Sequence, residues 1–205
     1  MGIGRFAYTP ILPAMIEALG LSRSAAGLIA SANFLGYLVG ASLAARTDLA
    51  GDRRSWLISA LAVSAGTTAG MGLVWSLVPF LVLRAVGGAA SAFVLVFGSA
   101  IVLDSLPFGR SGLSALHFAG VGIGIAASAV LVAGLLHSGG SWQSLWLGNG
   151  LLALAATTVV SWLVPSDMAP KAQAGRAIRP RTSPALRRLI VAYGLFGFGY
   201  VITAT

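Results

Sequence analysis

Apolar residues run along this chain in blocks of about twenty, separated by short polar stretches. A block of that length spans a bilayer as an α-helix at 1.5 Å per residue. Six such blocks and part of a seventh can be read: 1–19, 25–45, 56–75, 78–103, 112–136, 143–164, and a last one from 189 onward. The polar stretches between them alternate in character. Arg46, Arg53 and Arg54 follow the second block, Arg110 the fourth, and six basic residues the sixth. The opposite set of connections carries Arg23 as its one Lys or Arg. Basic loops stay in the cytoplasm, so the 2–3, 4–5 and 6–7 connections are expected there. Trp75 and Trp142 then fall at the outer interface, where amphipathic rings settle. Residues 165–188 hold four prolines and six basic residues and read as a cytoplasmic linker.

Composition agrees with this pattern. Of 205 residues, 57% are hydrophobic and 9% charged, where a soluble domain carries about 25% charged. A net charge of +8 would suggest nucleic acid in a soluble protein. Here the basic residues punctuate apolar blocks, so a lipid bilayer is the expected partner and nucleic acid is not. There is no cysteine, and no metal-binding or cofactor motif. The run "GVGIGIAA" (120–127) mimics a dinucleotide fingerprint, but it sits inside a membrane-length helix with no strand before it. HExxH, GxSxG, a P-loop and a paired membrane carboxylate are all missing, which argues against an enzyme.

Small residues recur every fourth position: Ala32, Gly36, Gly40 and Ala44; Gly66 and Gly70; Gly120, Gly124 and Ser128. Such stripes let helices approach closely in lipid, and packing is their expected role. Ionisable residues inside a bilayer cost about 2.5–3.5 kcal/mol and face a cavity or a partner. Arg5, Arg84 and His117 are the ones here. Arg5 lies roughly 20 Å from the outer end of the first block, too deep to reach the outer interface. Arg84 either snorkels outward or faces a cavity, and His117 is either packed or functional. Asn33 and Tyr37 share a helical face, and line a polar cavity or bond a neighbouring helix. Tyr8 shares the face of Arg5. Pro10 and Pro13 are expected to bend the first helix, since neighbours or cavity water can answer the freed carbonyls.

Three stretches carry a resemblance. "ARTDLAGDRR" (45–54) resembles the 2–3 loop signature of the major facilitator superfamily, with Asp48, Gly51 and Arg53 matching and Ala44, Leu49 and Asp52 departing. "RAVGGAASA" (84–92) resembles the superfamily's fourth-helix signature. "GRFAYTPILP" together with "HFAGVGIGIA" (117–126) is similar to the YbfB/YjiJ-type branch. The resemblance implies an all-α membrane protein: a six-helix N-terminal bundle over 1–164, the linker 165–188, and the start of a seventh helix at 189–205. The superfamily pairs two similar bundles. "GFGYVITAT" (197–205) echoes "GIGRFAYTP" (2–10), so helix 1 and helix 7 both read as cut, in a protein of about twice this length whose C-terminal six-helix half is missing here.

The function so implied is secondary transport of a small solute across a bacterial inner membrane. Substrate candidates are Arg5, Tyr8, Asn33, Tyr37, Arg84 and His117, with fixed positive charge suited to an organic anion. Asp48, Gly51 and Arg53 form the candidate gating loop. The rival reading is a non-transporting scaffold or one subunit of a two-chain assembly, its linker resting on anionic lipid.

Overall fold

A computed structural model of the chain describes residues 2–46, 49–105 and 112–165, together with 183, 184, 188, 191, 192 and 195; the side chains of 112–118 are outside this set. Asp48, Arg110, nearly all of the linker and most of the seventh block therefore lie outside the described residues. The chain divides into two compact units, Met1–Pro170 and Lys171–Thr205. In the second, residues 184, 188, 191, 192 and 195 are helical.

The first unit is a helical bundle. Its helices are α1 Gly2–Phe6, α2 Tyr8–Leu19, α3 Arg23–Ala44, α4 Arg53–Gly70, α5 Leu77–Ser105, α6 Gly112–His137 and α7 Trp142–Leu163. No strand occurs among the described residues. Five of these stretches are long and apolar enough to cross a membrane. Helices α1 and α2 follow one another over the first apolar block, broken at Ala7. The break follows from Pro10. Its ring has no N–H for the Phe6 carbonyl and collides with it, so the preceding turn opens. Ala7 keeps helical dihedrals and bridges the gap through bonds from its amide to the Ile3 oxygen (2.9 Å) and from Ile11 to its own oxygen (3.3 Å).

Local signals set the ends. Ser22, Asp52 and Ser141 cap α3, α4 and α7 by accepting from the backbone amides three residues on. Gly20 closes α2 in the left-handed conformation, at φ 61°. Pro79 is tolerated because it lies in the first turn of α5, where its amide would have no partner anyway.

The tightest pairing is α3 on α5. A Cβ at Gly36 would strike the backbone of Ala85, one at Gly40 that of Ala89, and one at Gly88 that of Asn33. These two helices meet backbone to backbone. The other stripes divide. Gly124 approaches Gly2 of α1, and Ser128 donates to Asn149 Oδ1 of α7 (2.6 Å). Among the described residues Gly66 and Gly120 have nothing within 4 Å of an added Cβ, so packing among those residues does not account for them. One apolar core gathers Tyr8, Ile11, Met15, Ile29, Met71, Phe80, Leu145 and Trp146. A second, around Leu57, Phe97 and Ile101, lies near the basic loops. Trp142 corrects an expectation. It is 4% exposed and meets Phe80 edge-on at 6.1 Å, inside the first core, whereas Trp75 is 66% exposed. Trp142 is the first residue of α7, and the turn before it faces the ring inward.

Gly36→Leu should cost more than the 1–3 kcal/mol of ordinary overpacking, because backbone rather than a side chain must move. Gly66→Ala, into open space, should leave thermal stability unchanged or raised. Thermal unfolding of the two purified variants in detergent checks both.

Candidate substrate site

The break at Ala7 organises the candidate residues. Arg84 of α5 is 6% exposed and does not snorkel. Its guanidinium donates to the Gly4 carbonyl (3.1 Å) and the Arg5 carbonyl (3.4 Å), and stands 4.9 Å from the centre of the Tyr8 ring. A charged donor thus serves backbone carbonyls of α1 just ahead of the proline kink. Such bonds are worth about 1.5–3 kcal/mol each. Asn33 of α3 donates from Nδ2 to the carbonyl of Arg84 (3.0 Å) and is 2% exposed. Tyr8 donates its hydroxyl to the Ala26 carbonyl of α3 (2.8 Å). Of the two roles open to Asn33, bonding a neighbouring helix is the one it plays; Tyr8 does the same.

Arg5 is different. It is half-buried, and its guanidinium carbon lies 4.7 Å from the ring centre of Tyr37, 5.1 Å from Phe34 and 5.7 Å from Phe6. Three π-faces surround one cation. Each such contact is worth about 0.5–2 kcal/mol, more where water is excluded. Five of the six predicted site residues therefore meet around the helix-1 break, Arg84, Asn33 and Tyr8 as its framework and Arg5 and Tyr37 on its more open side. His117 lies on α6, and its side chain is outside the described residues. The sequence reading missed Phe6 and Phe34. The signal was there, since Phe34 is three residues before Tyr37 and so shares its face.

The candidate gating loop is anchored by groups beyond its motif. Arg53 pairs with Asp104 at the end of α5. Both side chains are exposed, so this ion pair contributes about 0–1 kcal/mol. Arg54 does more. Its Nε and a terminal nitrogen donate to the Val164 and Ser161 carbonyls, both at 2.8 Å, and so satisfy orphan acceptors at the C-terminus of α7. Gly51 has φ 108°, which only glycine adopts readily, and Trp56 donates to the Ala50 carbonyl (3.1 Å) while stacking near Phe97. Asp48 lies outside the described residues. Among the described residues no group of three His, Asp or Glu side chains could hold a metal.

A family model described as the uncharacterised MFS-type transporter YbfB matches residues 1–205. The chain belongs to this family of major facilitator transporters. It is therefore a multi-pass membrane protein with the all-helical bundle of such transporters. A gallate transporter of Pseudomonas putida is 30% identical over 179 residues, covering 85% of this chain and 37% of the relative. The chain thus spans a little over a third of that relative's length.

Tyr8→Phe should cost about 1 kcal/mol, the net worth of one buried hydrogen bond, read by chemical denaturation. The loop offers a pH test. The Asp52 carboxyl is held below the usual carboxylate range, first by the Ser55 hydroxyl and then by the Ser55 amide. A depressed folded pKa means that the cap stabilises fully above the unfolded value of 3.8 and loses its effect as pH falls through the lower folded one. Asp52→Ala should therefore melt below the wild type at pH 7, and the gap should close in acid below 3.8.

Proposed function

We propose that the protein carrying this chain is a secondary transporter of organic anions, working by alternating access between two bundles. Residues 1–164 are its first bundle, 165–188 a cytoplasmic linker and 189–205 the start of the second, in a bacterial inner membrane. The carrying observation is Arg5, a cation held against Phe6, Phe34 and Tyr37 on the open side of the helix-1 break. Cation–π attraction acts on the charge of a guanidinium, whereas carboxylate recognition uses its N–H fork. One Arg5 can do both. The rings around it suit a flat aromatic carboxylate, which would stack on Tyr37 or Phe34 while its carboxylate meets Arg5. Gallate, transported by the Pseudomonas putida relative, has that chemistry.

Arg84 is a positioning residue in this scheme. It fixes the turn that presents Arg5, through the Gly4 and Arg5 carbonyls. The scaffold reading has no comparable support, whereas the family match and the gallate-transporting relative favour transport.

In proteoliposomes of the full-length protein, Arg5→Ala should lower gallate uptake at least about tenfold, the loss of one charge-assisted pair. Tyr37→Leu should raise the KM with a smaller effect on kcat. Uptake by Arg5→Ala at the wild-type rate would sink the assignment.

A further inference from the structure

A small cavity of about 10 Å³ lies inside the bundle. Gly4, Ser64, Thr67, Thr68, Arg84 and Gly87 supply its polar and glycine walls, and Met71, Leu83 and Trp146 the rest. It has room for roughly one water molecule. The glycines make it possible. A Cβ at Gly4 would sit 2.8 Å from Thr68 Oγ1 and 2.9 Å from Ser64 Oγ, and one at Gly87 would sit 3.0 Å from Thr67 Oγ1. So α1 and α5 come down onto a row of hydroxyls presented by α4.

Arg84 lines this cavity and is more than nine-tenths buried. Each of its two terminal nitrogens donates to a helix-1 carbonyl. Its Nε–H is buried and has no hydrogen-bond partner among the described residues. Leaving a donor of a charged group unanswered away from water costs more than leaving a neutral one. The cavity is where an answer can sit.

Donor and acceptor accounting decides what the answer is. Thr68 gives its hydroxyl proton to the Ser64 carbonyl (2.7 Å), and Thr67 gives its own to the Val63 and Ser64 carbonyls (2.9 and 3.1 Å). Both threonine oxygens therefore turn lone pairs to the cavity. Trp146 spends its indole N–H on Met15 Sδ (3.2 Å). Each terminal nitrogen of Arg84 keeps one further N–H, but the lining donor atoms with no hydrogen bond at all among the described residues are Arg84 Nε and the Ser64 hydroxyl, beside two acceptors. An anion would meet the threonine lone pairs, and a cation would meet Arg84. A molecule that gives two hydrogen bonds and takes two fits all four.

We infer that the bundle holds one resident water between Arg84 Nε and the hydroxyls of Ser64, Thr67 and Thr68, and that this water completes the solvation of the arginine that fixes the helix-1 break. The inference does not rest on the transport reading.

A structure of the full-length protein in lipid nanodiscs, at a resolution that shows waters, is the direct test. One peak within hydrogen-bond distance of Arg84 Nε and Ser64 Oγ supports the inference. An empty cavity, or Nε turned onto a protein oxygen, overturns it. Replacing chloride by gluconate should leave the thermal midpoint unchanged, and a chloride-dependent rise would assign the site to an anion instead. Ser64→Ala with Thr68→Val should lower the midpoint by about 4 °C or more. In an Arg84→Met background the same pair should lower it by less than about 1 °C. An equal drop in both backgrounds would mean that the hydroxyls serve packing alone and would overturn the proposal.

Discussion

Inside a bilayer, the backbone carbonyls of an opened helical turn have to be answered by the protein itself. That constraint governs this bundle. Pro10 opens the first helix at Ala7, and the guanidinium of Arg84 reaches across from α5 to the carbonyls of Gly4 and Arg5. Much of the surrounding architecture can be traced to this one attachment. Arg84 must be buried to make it, so its own carbonyl is tied down by Asn33 and its charge is faced by the Tyr8 ring. Tyr8 in turn is tied to Ala26. Three helices are thereby fixed around a single kink.

The two arginines illustrate how burial separates roles that sequence leaves equal. Each is an isolated cation in an apolar block. Arg84 is enclosed, its terminal nitrogens spent on backbone oxygens, and it acts as a structural clasp. Arg5 lies on the more open side, against aromatic rings. The quadrupoles of those rings stabilise its charge.

The chain's apolar blocks revealed the helices because lipid permits few alternatives to a helix. The second block, read as 25–45, is the helix Arg23–Ala44, and the sixth, read as 143–164, is Trp142–Leu163. The close approach of Gly36 and Gly40 was equally legible, since a small-residue stripe has one obvious use in a membrane. Gly66 and Gly120 show the limit of that logic: the same spacing occurs where no neighbour among the described residues comes near. Trp142 shows another. An aromatic residue at a helix end suits the interface by position, but which way it points depends on the turn before it. Arg84 could not be assigned from sequence at all. Its partners are backbone atoms 79 and 80 residues away, and a carbonyl leaves no mark in an amino-acid sequence. Asp104, near a helix end with access to water, gave no sign that it would meet Arg53.

The contact between α3 and α5 has a mechanical meaning beyond stability. Where two helices touch through side chains, the interface can creep as rotamers change. Gly36, Gly40 and Gly88 put main chain against main chain, and peptide planes have no rotamers to exchange. The pair should therefore bear load as one stiff beam. Any rearrangement of the bundle has to pivot around it, and the broken first helix, pinned to that beam by Arg84, is the natural place for the protein to bend.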